Sequence, residues 1–167
     1  YSHKNLSVLP YVLDELENKN DFNVTFHVTL TEEEFNSMSS FFKAKIHNFG
    51  SLKISECPGF YDEMDIIFFP SLLELFSATP LESLYMKKPF ICTDLPFIKD
   101  FFQDFVYLIK PNDVQDSAKV INQVILLLKN KDQSLLNKLN LGSQFVNDNF
   151  QPSKRANAYL DIIRRYE

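Results

Sequence analysis

The chain has 167 residues, of which 45% are hydrophobic, and this length fits one domain of ordinary size with a real core. Its net charge of −5, without any basic block, argues against nucleic acid as the main partner. With only three glycines, the chain has neither a Gly-x-Gly-x-x-Gly dinucleotide motif nor a P-loop.

Hydrophobic periodicity divides the first part of the chain into helices and short strands. The predicted elements are, in order, a helix over 6–18, a strand over 22–30, a helix over 32–43, a short strand over 46–49 and a short helix or turn over 60–64. Pro10 either belongs to the first turn of the first helix or kinks that helix. Thr31 and Glu34 have the spacing of a capping box, which predicts the start of the second helix.

The same alternation continues to the end of the chain. The predicted elements are a strand over 66–69, a helix over 80–86, a strand over 90–93, a short helix over 98–102, a strand over 106–109 and helices over 114–129, 132–149 and 153–165. Alternating helices and short apolar strands predict parallel strands, right-handed crossovers and helices on both faces of the sheet. We therefore predict a single α/β domain over residues 1–167, with a Rossmann-like, mostly parallel sheet.

Two glutamates are the leading candidates for a functional site. Glu74 and Glu82 are separated by seven residues, and Thr79 and Pro80 can be the N-cap and first residue of a helix that starts between them. Glu74 should then lie in a loop just past a strand, and Glu82 in the first helical turn. Open α/β sheets bind ligands at the carboxyl ends of strands, and the free N–H groups of a helix start favour an anion such as a diphosphate.

Simpler explanations of these residues stay open at this point. A capping box between Thr79 and Glu82 would explain Glu82 without any ligand. Glu74 could be a solvated loop carboxylate, and Lys4 is by default a solvated lysine.

An ordered set of motifs resembles a known family. The set comprises Ser2-His-Lys-Asn5, Tyr61-Asp-Glu-Met-Asp-Ile-Ile-Phe-Phe-Pro-Ser71, the glutamate pair, Lys88-Pro-Phe-Ile-Cys-Thr-Asp94, and Pro111-x-Asp113 with the helix of Ala118. Over about residues 1–130, the set resembles the carboxy-terminal half of the retaining GT-B glycosyltransferases, and it looks most like glycosyltransferase family 4. The glutamate pair alone is a weak signal, whereas the set in this order is a specific one.

The resemblance implies a domain that binds a nucleotide-activated sugar. Glu82 would hold the ribose hydroxyls, Glu74 would contact the donor sugar or the leaving phosphate as the catalytic residue, and Lys4 would neutralise the diphosphate. The remaining contacts would come from the N–H groups of Phe76, Ser77, Ala78 and Thr79 for the phosphate oxygens, and from the segment after Asn48-Phe-Gly50, with Gly50, Ser51 and Leu52, for the base.

These residue types suit sugar transfer. Negative charge develops on the oxygens of a departing nucleoside diphosphate, where a lysine and oriented N–H groups stabilise it. A carboxylate that accepts two ribose hydroxyls orients the donor through charge-assisted hydrogen bonds. No cofactor is implied beyond the nucleotide sugar itself, because GT-B enzymes typically do without a metal.

The chain also departs from the family pattern. Leu75 stands where the family has Gly after the first glutamate. The first strand with its Gly-Arg pair, and the whole amino-terminal acceptor domain, would lie before this chain. The resemblance therefore implies the donor-binding part of a longer hexosyltransferase of polysaccharide or glycoconjugate biosynthesis. That enzyme would reach a glycan or lipid-linked acceptor through the absent domain, and the fragment alone would be inactive.

Two other classes of protein compete with this one. A non-catalytic α/β binding or interaction module with a decayed site is the alternative, and unchanged glycan production by Glu74→Ala and Glu82→Ala forms of the full-length parent would favour it. A flavodoxin-like regulator needs an acidic cluster at the end of its first strand, and none is evident.

Cysteine usage and hydropathy indicate the cellular compartment of the protein. Cys57 and Cys92 lack metal-like spacing, and we expect free thiols of a cytosolic protein. The three histidines are scattered, which argues against a zinc site. No apolar run approaches the ~20 residues of a bilayer span, and no signal peptide opens the chain. We expect a cytoplasmic protein, with peripheral association of the full-length enzyme at the inner face of the membrane as an option.

Overall fold

Helices and short strands alternate along the computed structural model, which describes residues 2–19 and 22–165. The helices are α1 (Leu9–Lys19), α2 (Glu32–Ser37), α3 (Ser40–Lys45), α4 (Cys57–Glu63), α5 (Thr79–Tyr85), α6 (Pro96–Phe102), α7 (Val114–Lys129), α8 (Gln133–Asn149) and α9 (Pro152–Arg164). The strands are β1 (His27–Val28), β2 (His47–Asn48), β3 (Ile67–Phe69), β4 (Phe90–Thr93) and β5 (Tyr107–Ile109). Short 3₁₀ helices cover Ser2–Lys4, Leu6–Val8, Ile54–Glu56 and Gln103–Phe105.

Every strand pair is parallel, which confirms the predicted α/β class. β1 pairs with β2, and β4 lies between β3 and β5. The register places His27 opposite His47 in the first pair and Ile67 opposite Phe90 in the second. The described strands therefore form two sheets, one of two strands and one of three.

Helices cover both faces of these sheets. On one face α1 packs against α7, and Val12 and Val124 are buried with Ile91 of β4. On the other face α5 packs against α8, and Leu84 is buried with Phe90. Neighbouring residues of a strand point to opposite faces, so β4 supplies both cores and is apolar along most of its length. No helix in the described part of the chain is both long enough and apolar enough to span a bilayer.

Two elements have the predicted bounds, most others are shifted by one to three residues, and two predicted elements differ more strongly. β4 and α7 have the predicted bounds, and Pro10 lies in the first turn of α1. The single helix predicted over 32–43 is instead two helices, because the chain is extended at Met38 and the side chain of Ser39 caps a new helix at α3. The strand predicted over 22–30 is paired only at β1, where just β2 lies beside it.

Both cysteines are free thiols, as predicted. Cys57 is half-buried and Cys92 is buried. Burial raises the pKa of the Cys92 thiol well above its ordinary value, so this residue is protonated and inert in the core.

Candidate functional site

A lysine and a glutamate meet just beyond the end of β3. Nζ of Lys4 lies 2.5 Å from Oε1 of Glu74, and Oγ of Ser71 lies 3.0 Å from the same oxygen. The side chain of Glu74 is only 11% exposed, against 37% for Lys4. Glu74 is thus a largely buried carboxylate held by two donors, and its interpretation as a solvated loop residue is wrong.

Backbone contacts bring the start of the chain to this place. The N–H of Leu72 donates to the carbonyl of His3 at 2.7 Å, and Oγ of Ser71 lies 3.1 Å from that carbonyl. Asn5 follows with a left-handed φ of 54°, and its side chain donates to Oδ1 of Asn112 at 3.2 Å. Asparagine adopts this conformation more readily than most residues do. These bonds place Lys4 beside a residue 70 positions later in the chain.

The second glutamate lies in the first turn of α5 and is held by a tyrosine. Tyr61 of α4 donates its phenol hydroxyl to Oε2 of Glu82 at 2.8 Å. Burial, and then the hydrogen bond to Glu82, raise the pKa of the Tyr61 phenol far above its ordinary value, so Tyr61 remains a donor. Glu82 is exposed, and within the described residues this one donor engages one of its two carboxylate oxygens.

The predicted capping box of α5 does not form. Thr79 is the first residue of α5 rather than its N-cap, and Ala78 takes the N-cap position without a side-chain hydrogen bond. Instead, Oγ of Ser77 accepts from the N–H of Thr79 at 3.3 Å. The carboxylate of Glu82 is therefore not explained by helix capping.

The loop between the two glutamates projects into solvent. Leu75, where the resembled family has Gly, is 94% exposed, and Phe76 is also exposed. Both apolar side chains therefore extend into solvent.

A turn after β2 forms a further wall. Gly50 has a φ of 81°, a conformation that glycine adopts without the strain of a side chain. Its N–H donates to Oδ1 of Asn48 at 3.2 Å. The amide of Asn48 also bridges the backbone of Leu30, accepting from its N–H at 3.0 Å and donating to its carbonyl at 3.1 Å. One side chain thus fixes the turn that precedes Ser51 and Leu52.

A cleft of about 1220 Å³ joins these groups. The residues around its opening, at the carboxyl ends of the strands, are Lys4, Ser51, Leu52, Ser71, Thr79 and Glu82. Glu74 does not line the cleft, but it contacts two of these residues, Lys4 and Ser71. Four other predicted site residues do not line the cleft in the described part of the chain, although each lies within three positions in sequence of a residue that does. They are Gly50, Phe76, Ser77 and Ala78.

Sequence reasoning missed the residues that hold the two glutamates. Tyr61 precedes Glu82 by 21 positions, and no local pattern connects the two. Ser71 had one usable signal, its place directly after a predicted strand. Asn48 had none beyond its nearness to Gly50.

An α/β domain with a crevice at the carboxyl ends of parallel strands belongs to the class that commonly binds nucleotides and related ligands there. Comparison with known families refines this class. Residues 2–138 match the family described as Glycosyl transferases group 1, and the chain belongs to that family. A search of curated protein sequences finds no match.

Solved structures share this fold at low sequence identity. A glycosyltransferase from Rickettsia africae ESF-5 has a TM-score of 0.80 and 23% identity, over 99% of this chain and 45% of that one. Sucrose-phosphate synthase from Thermosynechococcus elongatus has a TM-score of 0.76 and 13% identity, over 99% of this chain and 43% of that one. A mutant of S. aureus TarM, in complex with fondaparinux, alpha-GlcNAc-glycerol and UDP, has a TM-score of 0.75 and 17% identity, over 95% of this chain and 32% of that one. The chain therefore has a GT-B glycosyltransferase fold and spans less than half the length of each of these proteins.

Proposed function

We propose that the opening of the cleft binds the nucleoside diphosphate of a sugar donor, and that the chain is the donor-binding domain of a retaining hexosyltransferase of family 4. The observation that carries this proposal is the Lys4–Glu74 pair, whose lysine lines the same cleft as Glu82. One cation suits a diphosphate, and two carboxylates suit the hydroxyl groups of ribose and sugar. The presence of UDP in the structure of a TarM mutant supports this ligand class.

Lys4 is the cation that would meet the diphosphate. Its side chain is more than a third exposed, although Nζ already touches Glu74. An arriving diphosphate would share this ammonium group with Glu74, because a lysine has three donor hydrogens. The contact with Glu74 therefore orients Lys4 before the ligand binds, which reduces the entropy lost on binding.

Glu74 is the residue we assign to the reacting sugar. Its carboxylate would accept a sugar hydroxyl or lie against the leaving phosphate, while Ser71 and Lys4 fix its position. When the bond from the sugar to the diphosphate breaks, the electron pair leaves with the phosphate oxygen. Lys4 and the N–H groups of the loop over 76–79 would stabilise that charge where it develops.

Glu82 would hold the ribose. Tyr61 engages Oε2, so Oε1 remains available to accept a ribose hydroxyl. The hydrogen bond from Tyr61 orients the carboxylate, and burial raises the pKa of the phenol, which keeps it a donor. The turn with Gly50, Ser51 and Leu52 would then lie against the base.

Nucleotide titration tests this proposal. UDP, GDP and ADP are added separately to the isotopically labelled chain, and amide resonances are followed by NMR. We expect weak binding, in the millimolar range, with shifts near Lys4, Gly50, Ser77 and Glu82. If none of these resonances moves at millimolar nucleotide, the site assignment is wrong.

A matched pair of variants distinguishes a specific contact with Glu82 from an effect of net charge on nucleotide affinity. Glu82→Gln keeps the shape of the side chain and removes its charge, so the affinity should fall about tenfold or more, as expected for a lost hydrogen bond to a charged group. Glu33→Gln makes the same change on the exposed surface of α2 and should leave the affinity unchanged. Equal effects of both variants would mean that net charge alone governs binding.

The wider role follows as part of the same proposal. The full-length enzyme would transfer a hexose to a glycan or lipid-linked acceptor held by a second domain. Its products would belong to polysaccharide or glycoconjugate biosynthesis, with the enzyme in the cytoplasm or at the inner face of the membrane.

A further inference from the structure

Two consecutive residues of α4 contact two different parts of the domain. The ring of Phe60 packs edge-on against the ring of Phe49, the first residue after β2, with centroids 5.2 Å apart. The next residue, Tyr61, donates its hydroxyl to Glu82 in the first turn of α5 at 2.8 Å. This short helix therefore connects the segment after β2 with the carboxylate of Glu82.

Few other contacts hold α4 in place. Tyr61 is the one residue of this helix that is buried, Cys57 and Phe60 are half-buried, and the other four residues are exposed. Nζ of Lys88 donates to the carbonyl of Asp62 at 3.0 Å, at an exposed position. A helix of two turns is not stable by its own hydrogen bonds. The contacts of Phe60 and Tyr61 therefore largely determine where α4 lies.

The ring of Phe49 is itself supported by a pair of histidines. His27 lies edge-on to Phe49 with centroids 5.2 Å apart, and it stacks on His47, its neighbour in the parallel register of β1 and β2. Oγ1 of Thr25 lies 3.1 Å from Nε2 of His27. Phe49 thus contacts a ring of β1 and a ring of α4, although its side chain is 48% exposed.

This series of contacts ends at two groups of the proposed donor site. Phe49 directly precedes Gly50, whose turn would lie against the base, and its N–H donates to the carbonyl of Val28 at 2.9 Å. At the other end, Tyr61 orients Glu82, which would hold the ribose. Base and ribose belong to one rigid nucleoside, so the turn and the carboxylate must be correctly spaced at the same time.

We propose that Phe49 and Phe60 are positioning residues of the donor site: the contact between their rings fixes α4, and through Tyr61 the carboxylate of Glu82, relative to the turn after β2. This inference rests on the proposed donor site. Lys4 lies outside this series of contacts. Loss of the ring contact should therefore weaken binding of the nucleoside part of a ligand and leave binding of a bare diphosphate unchanged.

The first test uses no ligand and follows the hydrogen bond of Tyr61 by NMR. Tyrosine is isotopically labelled at Cζ, whose chemical shift reports the bonding of the phenol, and Tyr61→Phe assigns the signal. Phe49→Leu and Phe60→Leu should each move this signal toward that of a water-exposed tyrosine. Phe49→Tyr keeps the ring and should not move it. A signal that is unchanged in both leucine variants would overturn the proposal.

Phe101→Leu is the matched control for these variants. Phe101 of α6 is 52% exposed, close to the exposure of Phe49, and it packs on Phe102 rather than on α4. This variant should leave the Tyr61 signal in place. Circular dichroism checks that all variants are folded. An equal movement of the Tyr61 signal in Phe101→Leu would mean that loss of any exposed ring loosens α4, and it would also overturn the proposal.

The second test compares two ligands. For the one of UDP, GDP and ADP that binds most tightly, Phe49→Leu and Phe60→Leu should each weaken binding about three- to tenfold, as expected for one lost aromatic contact. Pyrophosphate should bind to both variants as it binds to the unaltered chain, and Phe49→Tyr should restore nucleotide affinity. Equal losses for nucleotide and pyrophosphate would show general loosening of the site and would contradict the proposal.

A double variant shows whether the two rings act through one contact. Phe49→Leu combined with Phe60→Leu should lose no more nucleotide affinity than the weaker-binding single variant. Losses that multiply would mean that each ring acts on the ligand separately, and the positioning role would be wrong. If no nucleotide binds to the unaltered chain, the donor site itself is wrong. If nucleotide binds but the Tyr61 signal responds to neither leucine variant, only this inference fails.

Discussion

At the scale of single residues, the burial of the Glu74 carboxylate depends on a partner 70 positions earlier in the chain. Lys4 reaches its carboxylate from the first turn, and Ser71 supports the same oxygen. Removing Lys4 would leave a largely buried carboxylate without its countercharge, which costs more than removing both charged groups together.

A double-mutant cycle measures this dependence. We expect Lys4→Met to lower the free energy of unfolding by about 2 kcal/mol, and the coupling energy between Lys4→Met and Glu74→Gln to be about 1–2 kcal/mol, between the values for exposed and buried pairs. Urea denaturation of the four proteins gives both numbers. Lys119→Met, at an exposed lysine of α7, is the control and should have almost no effect. A coupling energy near zero would show that the two residues do not stabilise each other in solution.

His27 gives a pH-dependent contribution to stability. Its ring stacks on His47 with centroids 5.3 Å apart, and burial followed by the charge of His47 lower the pKa of His27 below its ordinary value of 6.5, against a smaller opposing effect of Glu63. The unfolded chain therefore binds a proton here more readily than the folded chain does. The stability associated with His27 is complete above about pH 6.5 and is lost as the pH falls below that value.

Proton NMR titration checks this prediction directly. The midpoint for His27 should lie below 6.5, and His47→Gln should move it upward, because the variant removes the repelling charge. Urea denaturation should show that the wild-type protein loses more stability on acidification than His27→Gln does. A midpoint at or above 6.5 would contradict the prediction.

At the scale of elements, the first turn of α5 carries Glu82, so the packing of α5 against α8 positions part of the site. Gly142 of α8 makes this packing close. A Cβ atom at Gly142 would lie 2.9 Å from Cδ2 of Leu84 and 3.4 Å from Cβ of Phe105. The absence of a side chain at this position therefore lets the two helices approach each other.

Gly142→Val should destabilise the domain by about 1–3 kcal/mol, the usual cost of overfilling a packed core. The branched side chain would push against Leu84 and separate α5 from α8. Gln144→Val, on the exposed side of the same helix, should change stability by no more than about 0.5 kcal/mol. Thermal unfolding of both variants distinguishes the two effects, and equal melting temperatures would argue against close packing at Gly142.

Two capping motifs with the same spacing show where a local sequence pattern predicts the structure and where it does not. At Thr31 the predicted box is confirmed: Oγ1 accepts from the N–H of Glu34 at 3.1 Å, and Glu34 accepts from the N–H of Thr31 at 2.9 Å. At Thr79 the prediction is wrong, because the carboxylate of Glu82 bonds to Tyr61 of another helix. At the exposed start of α2, local sequence signals predict the hydrogen bonds correctly. At the start of α5, which lines the cleft, a partner distant in sequence determines them.

Like the two capping motifs, the candidate site was predictable from the sequence only in part. The placement of Glu74 after a strand and of Glu82 in a first helical turn followed from local signals and is confirmed. The contact of Lys4 with Glu74 joins two parts of the chain that no local pattern connects. The hydrogen bond from Tyr61 to Glu82 depends on how α4 and α5 pack, and no periodic pattern in the sequence predicts that packing.

At the scale of the whole molecule, the residues that we propose for donor binding gather at one cleft. Lys4 and Glu82 line this cleft, Glu74 contacts Lys4, and Ser51 and Leu52 of the turn after β2 also line it. Transfer of a sugar also needs an acceptor hydroxyl held against the donor and a group that takes its proton. The site that we propose accounts only for the donor side of this requirement.

We therefore predict that the 167-residue chain binds a nucleotide without transferring sugar. The experiment incubates the chain with UDP-, GDP- and ADP-linked hexoses, with and without oligosaccharide acceptors, and measures release of the nucleoside diphosphate. Release should not exceed that in buffer, while NMR of the same sample shows occupied donor sites. Without an opposing wall, water is not excluded from the donor, so the oriented charges act in a medium that weakens them. Release that depends on acceptor and is abolished by Glu82→Gln would contradict the prediction, since it would place a complete catalytic site within these residues.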